Sequence, residues 1–302
     1  MTEKEYKKQL KNRLIQYRET LNLSSDITFG IEIEYEGIIK GTVSHLLLEE
    51  QIDKRLLNWK NKSEFDIAEF SKEKEMINGE INSPVLRDNK KTWNDLKRVL
   101  ELLKSNDAFA SERCGAHINI GAHIFENNIE YIKNFILLWI LYEREIQKFS
   151  SGENKWVRRD VSNLFKKING KIDLKNLLLY DKTFILTQEL TCLCDKHHRI
   201  YFCKSIKDRF MYGNVIEFRV PNGTLNEEIW QNYINFFSKF ILACKKEIDQ
   251  EKVIYQINNK EHNTIELANF VFDNDFDKEQ FLIQTLKTNK IYSKFLIPHK
   301  YY

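Results

Sequence analysis

Phe29-Gly30-Ile31-Glu32-Ile33-Glu34-Tyr35-Glu36 is the stretch that decides the fold. Apolar and charged residues alternate in it, and side chains alternate faces along a strand. Phe29, Ile31, Ile33 and Tyr35 therefore face one way, and Glu32, Glu34 and Glu36 the other. Three later segments repeat the pattern. In 76–83, Ile77 and Ile81 oppose Asn78, Glu80 and Asn82; in 114–121, Cys114, Ala116, Ile118 and Ile120 oppose His117 and Asn119. In 214–220, Ile216, Phe218 and Val220 oppose Glu217 and Arg219. Each predicted strand thus has an apolar face for helices to cover and a face carrying carboxylates, imidazole or guanidinium.

Working outward, residues 3–20 read as a charged helix and 45–58 as a helical stretch. Pro84 stops the second strand. Thr92 is the expected cap of the next helix, with Asp95 as its capping-box partner and Trp93, Leu96, Val99, Leu100 and Leu103 as its apolar stripe. Asn127 or Asn128 caps a long helix running to Phe149. Residues 150–212 are the least legible, with a short helix near 173–180 and strand-like patches near 183–187 and 199–206. Asn226 caps a further helix with Glu227 and Glu228 in its first turn and Lys245 and Lys246 in its last. Its stripe of Ile229, Tyr233, Phe236, Phe237, Phe240 and Cys244 reads as core packing. Strands alternating with long helices, without regular βαβ spacing, predict an α+β fold with an antiparallel sheet. We expect one domain over 1–302, with an N-terminal helix in 1–25, an insert at 150–212 and a helical appendage at 247–302.

The composition excludes several classes. With 302 residues, 47 Lys plus Arg and 44 Asp plus Glu, the formal charge is +3, which gives no electrostatic case for a nucleic-acid or membrane-surface protein. Apolar residues make up 42% and charged ones 30%, as in globular rather than disordered chains. No segment is long and apolar enough to span a membrane, and the charged N-terminus MTEKEYKKQLKNRL has no signal-peptide pattern. Five Cys make no disulfide framework, so a cytoplasmic location is expected.

If the four strands share one sheet, four or five carboxylates converge on one surface. Like charges held that close repel and raise one another's pKa, and hard divalent cations relieve the repulsion. An arginine among them suits an anionic ligand, since its planar fork matches phosphate oxygens. Taken singly, each signal has an ordinary reading. E-x-E on a strand is usually a solvated face, a lone His is more often a structural group, and Glu217 and Arg219 can pair across a sheet. Four such faces on four consecutive strands point instead to a site for a nucleoside triphosphate with metals.

Four ordered motifs carry a resemblance. Phe29-Gly30-Ile31-Glu32-Ile33-Glu34, Gly79-Glu80-Ile81-Asn82-Ser83-Pro84, Cys114-Gly115-Ala116-His117-Ile118-Asn119 and Ile216-Glu217-Phe218-Arg219, with Gly223-Thr224-Leu225 after the last, resemble the amidoligase family. That family groups with the glutamine synthetases and glutamate–cysteine ligases. The resemblance implies a glutamine synthetase-like catalytic domain, with an antiparallel curved sheet and helices on its apolar face. It implies an ATP-dependent carboxylate–amine ligase working through an acyl phosphate on small-molecule or peptide substrates. Glu32, Glu34, Glu80, His117 and Glu217 would bind Mg²⁺ or Mn²⁺, and Arg219 would contact ATP phosphates. One position departs from the family, whose third motif usually reads G-x-H-x-H; here Asn119 replaces the second His. Asn119 can hydrogen-bond nucleotide or substrate but takes no proton. His198-Arg199-Ile200-Tyr201 is similar to the family's Arg-Tyr segment, making Arg199 a candidate phosphate or substrate contact. Asp66 resembles, more loosely, an Asp that the family carries before its second strand.

Arg113, Arg158, Arg159 and Arg209 are further candidates, each more often a surface residue. Cys192, Cys194, His197, His198 and Cys203 gather thiols and imidazoles, but their spacing is not a familiar zinc spacing. Two other functions fit the same residues: a phosphotransferase of the guanidino-kinase kind, and a binding module that keeps the sheet without turnover. The intact carboxylates argue against the module, and Asn119 argues for it. Substrate identity and oligomeric state have no readable code in the sequence.

Overall fold

The computed structural model describes residues 3–10, 12–39, 52, 59–63, 76–152, 159–165, 167–168, 171–194, 197–203, 215–260 and 262–294. Six strands form one sheet: β1 (Phe29–Ile39), β2 (Lys60–Ser63), β3 (Met76–Asn82), β4 (Ala116–Gly121), β7 (Ile200–Cys203) and β8 (Val215–Phe218). Their order is β2-β3-β1-β4-β8-β7, and every neighbouring pair is antiparallel. A small hairpin, β5 (Lys167–Ile168) with β6 (Lys171–Ile172), lies apart. The fold is α+β, as the alternation predicts.

The helices among the described residues are α1 (Glu3–Leu10), α2 (Lys90–Ser105), α3 (Ile129–Ser150), α4 (Lys175–Leu179), α5 (Thr183–Leu193), α6 (Glu227–Ala243), α7 (Gln250–Asn259), α8 (Thr264–Val271) and α9 (Asp275–Lys294). Three of them cover the apolar face of the sheet. Trp93 of α2 stacks on Phe29 at 5.7 Å, and Trp139 of α3 lies 5.6 Å from Phe218. Phe237 of α6 stacks on Phe218 at 4.3 Å. Ile31, Ile33, Ile118, Ile120 and Ile216 are buried beneath them. Burial of that face provides the main stabilisation of the sheet, and it fixes which face is left to the polar side chains, because a one-residue slip would exchange the two.

Several local expectations are corrected. The N-terminal helix ends at Leu10 rather than near residue 20, because side chains of distant helices take the backbone donors beyond it. Gln16 N–H donates to Gln280 Oε1 (2.7 Å) and Arg18 N–H to Gln231 Oε1 (2.9 Å), which replaces helical bonding. The cap of α2 is Asn89, not Thr92: Thr92 N–H donates to Asn89 Oδ1 at 2.9 Å, and Asp95 pairs with Lys91 instead. Residues 183–187 are helical, not strand-like. Leu186 and Leu190, one helical turn apart in α5, are both buried, and that tertiary burial overrides the β-branched residues. Helix α6 stops at Ala243, so Lys245 and Lys246 lie just past it. The caps Asn128 and Asn226 are as expected. Apart from Ile52, the helical stretch expected at 45–58 lies outside the described residues, as do Asp66, Arg158 and Arg209.

Strand β1 carries a bulge. Tyr35 pairs with Gly79 but Ile38 with Ile77, so the register shifts between them. Gly37 lies in this interval at φ +100°, where a Cβ would sit 2.7 Å from Asp107 O and 2.9 Å from the Phe109 ring. Only glycine fits there. Within the same interval Glu36 forms an isolated antiparallel bridge with Phe109 of the loop 109–115. Among the described residues, no helix is long and apolar enough to cross a membrane.

Candidate metal centre

The register of the sheet assembles the site. Glu32 lies opposite His117 of β4 and Asn82 of β3, while Glu34 lies opposite Glu80 and Asn119 opposite Glu217. These positions share the face that the helices leave free. Like charges directly opposed in a sheet destabilise it, so the Glu34–Glu80 pairing needs a compensating partner.

His117 is the centre of the arrangement and only 2% exposed. Its Nδ1 lies 3.2 Å from Glu32 Oε2 and 3.6 Å from Glu217 Oε1; its Nε2 lies 3.4 Å from Glu34 Oε1. Two groups of three ligating atoms result, Glu32–His117–Glu217 and Glu34–Glu80–His117, each with its atoms within 4.8 Å of one another. Nε2 is buried without a hydrogen-bond partner. Carboxylate oxygens with one imidazole form a donor set suited to Mg²⁺ or Mn²⁺, and the buried, unsatisfied Nε2 is what a ligand atom lacking its ion looks like. The residues present fit a divalent cation.

The ligating side chains are themselves held, as metal ligands generally are. Asn119 Nδ2 donates to Glu32 Oε1 at 2.8 Å, and Asn82 Nδ2 donates to Glu80. Gly115 N–H donates to Glu34 Oε2, and Arg219 pairs with Glu217. Gly115 must be a glycine, because a Cβ would lie 2.6 Å from His117 Nε2 and 3.3 Å from Glu34 Oε1. Burial works to raise the Glu32 carboxyl, but the His117 and Asn119 hydrogen bonds and the Arg219 charge outweigh it and hold the group below its ordinary value. Burial works to lower His117, yet the Glu32 hydrogen bond and the charges of Glu34 and Glu217 outweigh that and raise it.

The structure brings together Glu32, Glu34, Glu80, His117, Asn119, Glu217 and Arg219. Arg199 is engaged elsewhere: its guanidinium donates to Gln147 Oε1 at 2.8 Å and pairs with Asp160 Oδ1 at 2.7 Å, tying α3 to the chain before the 161–164 turn. Arg113 pairs with Glu36 at 2.8 Å, and Arg159 is exposed, its backbone bridged to His198. Cys194 is buried and His197 exposed, while the side chains of Cys192 and Cys203 lie outside the described residues. Burial pushes the Cys114 thiol up to about 12, helped by Glu36 and Glu34, so it is no nucleophile. Sequence reasoning missed Gly115 as a donor to Glu34 and the Glu36–Ser111–Arg113 cluster beside it. The third Glu of the alternating stretch was the available signal.

The family described as "Putative amidoligase enzyme" matches residues 25–241 of this chain. The chain belongs to that family. The match spans β1 through most of α6, so every residue of the candidate metal centre falls within it. No curated protein matches the sequence. By its family the chain is a ligase, and the metal-type donor set lies on the sheet that the family motifs build.

Proposed function

We propose that this protein is an ATP-dependent carboxylate–amine ligase with a glutamine synthetase-like sheet, and that its carboxylate face binds two Mg²⁺ or Mn²⁺ ions together with ATP. The observation that carries the proposal is the division of one largely buried cluster into two ligand groups that meet at His117. Membership of the amidoligase family supports the reaction class. Glu32 and Glu217 would hold one cation and Glu34 and Glu80 the other, with His117, whose neutral ring has a single lone pair, as a ligand of one of the two. When bound, such ions neutralise phosphate charge and keep the reacting oxygens in line.

The chain's own residues do the rest. Asn119 fixes one oxygen of Glu32. Asn82 and Gly115 fix Glu80 and Glu34, so the carboxylates need no reorganisation when the ligand arrives. Arg219, held against Glu217, brings a guanidinium to the edge of the cluster, and its buried Nε has no partner. That donor suits a phosphate oxygen. In the reaction, a substrate carboxylate oxygen takes the γ-phosphoryl group of ATP as the bond between the γ-phosphorus and the bridging oxygen breaks, giving an acyl phosphate and ADP. An amine nitrogen then attacks the acyl carbon, the acyl carbon–oxygen bond to phosphate breaks, and phosphate and one proton from the amine leave as the amide bond forms. The carboxylates supply geometry and charge and form no covalent bond. The substrates are a carboxylate and an amine of small-molecule or peptide type, and the enzyme works in the cytoplasm.

Hydroxylamine trapping tests this. Wild-type protein with ATP, Mg²⁺ and a panel of carboxylates should form a hydroxamate and release ADP and phosphate in step. Glu32→Ala and Glu217→Ala should abolish both while keeping the fold. Wild-type activity in either variant, or a stable phosphorylated product without amide formation, would refute the assignment.

A further inference from the structure

Glu36 is the third glutamate of β1, buried, and absent from both ligand groups. Its carboxylate accepts hydrogen bonds from Ser111 Oγ (3.0 Å) and an Arg113 guanidinium nitrogen (2.8 Å). Its backbone exchanges two hydrogen bonds with Phe109, each 2.9 Å. From there the contacts run along the loop. Ser111 Oγ accepts Arg113 N–H at 3.1 Å, and Ser111 O accepts Cys114 N–H at 3.2 Å. The next residue is Gly115, which donates its N–H to Glu34 Oε2. The other side of the segment is fastened by Gly223 N–H to Cys114 O (2.7 Å) and Ala116 N–H to Pro221 O (3.0 Å).

This path ends on a ligand atom. With Oε2 of Glu34 held by Gly115, Oε1 is left facing His117 Nε2 at 3.4 Å. An ion pair between a buried carboxylate and a partly exposed guanidinium adds little net stability to a loop, and apolar packing would stabilise it at least as well. What the ion pair adds is direction: two oxygens with fixed donors permit one loop position. We propose that Glu36 is a positioning residue for the Glu34–Glu80–His117 half of the centre, acting through the 109–115 loop and Gly115 on the orientation of Glu34. This rests on reading the carboxylate face as a metal centre. It makes the two halves unequal: the Glu32–His117–Glu217 half is oriented by Asn119 and Arg219 and does not depend on Glu36.

The test is Mn²⁺ titration of the full chain, followed by electron paramagnetic resonance, with the melting temperature of the metal-free protein measured alongside. Wild type should show two classes of site. Glu36→Gln should weaken one class about tenfold and leave the other unchanged, as loss of an outer partner of a ligand typically does. Ser111→Ala, which removes a hydroxyl joining Glu36 to the loop, should shift the same class in the same direction, and it decides the matter if Glu36→Gln does not fold. Glu34→Ala should remove that same class. An unchanged isotherm in Glu36→Gln, or equal weakening of both classes alongside a lower melting temperature, would overturn the positioning role while the metal reading stands. Wild-type protein that binds no Mn²⁺, or Glu34→Ala that keeps both classes, would overturn both.

Discussion

Gly115→Ala is the sharpest perturbation of the centre, because one methyl group reaches both ligand sets. Its Cβ would lie 2.6 Å from His117 Nε2, 3.0 Å from His117 Cδ2 and 3.3 Å from Glu34 Oε1. Ordinary contact begins near 3.4 Å, so the imidazole or the loop must retreat by about 0.8 Å. The ring cannot give easily: it is buried, and Glu32, Glu34 and Glu217 surround it. Gly115 is not at positive φ, so alanine meets steric rather than backbone strain. Overpacking of this kind costs about 1–3 kcal/mol, of which about 0.4–1 kcal/mol is offset by the stiffer unfolded chain. The net loss of stability is therefore between about 0 and 2.6 kcal/mol, at about 2–4 °C of melting temperature per kcal/mol. The effect on function is larger, since displacement of a catalytic constellation by about 1 Å costs on the order of 100-fold in rate. Calorimetric metal titration and the hydroxamate assay, run with a thermal melt, read all three quantities. Wild-type metal affinity and rate in a folded Gly115→Ala protein would refute the claim that His117 and Glu34 are held in place by close approach of this backbone.

Asn119→Ala removes the donor to Glu32 Oε1, so metal affinity should fall about tenfold with little change in stability; an unchanged isotherm would deny Asn119 an orienting role. Asp277 joins three parts of the chain through Arg18 (2.8 Å), Lys239 and Asn235 (2.9 Å). Burial works to raise its carboxyl, but the Lys239 and Asn274 hydrogen bonds and the charges of Lys239 and Arg18 hold it below its ordinary value. Asp277→Asn should cost about 3 kcal/mol at neutral pH, measured by urea unfolding. Because the folded-state pKa is depressed, this contribution is present above about pH 4 and is lost as pH falls through the folded value. The gap between wild type and variant should therefore narrow in acid, and a gap independent of pH would contradict the ion-pair origin.

The polar face of the sheet was legible because period-two alternation is local. Glu32, Glu34, Glu80, His117 and Glu217 each sit in a strand whose apolar partners fix the face, so the residues predicted the cluster before the register was known. What alternation cannot supply is which residues oppose one another across strands, and hence that His117 stands between two ligand groups. The errors have the same source. Residues 13–18 read as helix by local pattern, yet Gln231 and Gln280, more than two hundred positions away, take their backbone donors. The 183–187 run reads as strand by its β-branched content, yet burial of Leu186 and Leu190 makes it a helix. Local pattern is equally silent on long-range partners: Gln147 and Asp160, distant in sequence, hold the Arg199 guanidinium.

The account stands or falls on the carboxylate face binding metal and nucleotide together. Isothermal titration of a non-hydrolysable ATP analogue, with and without Mg²⁺, into wild-type and Glu32→Ala protein tests this directly. Binding to wild type that requires Mg²⁺ and disappears in Glu32→Ala is the predicted result. No binding to wild type under either condition, or binding that Glu32→Ala and metal removal leave intact, would contradict it.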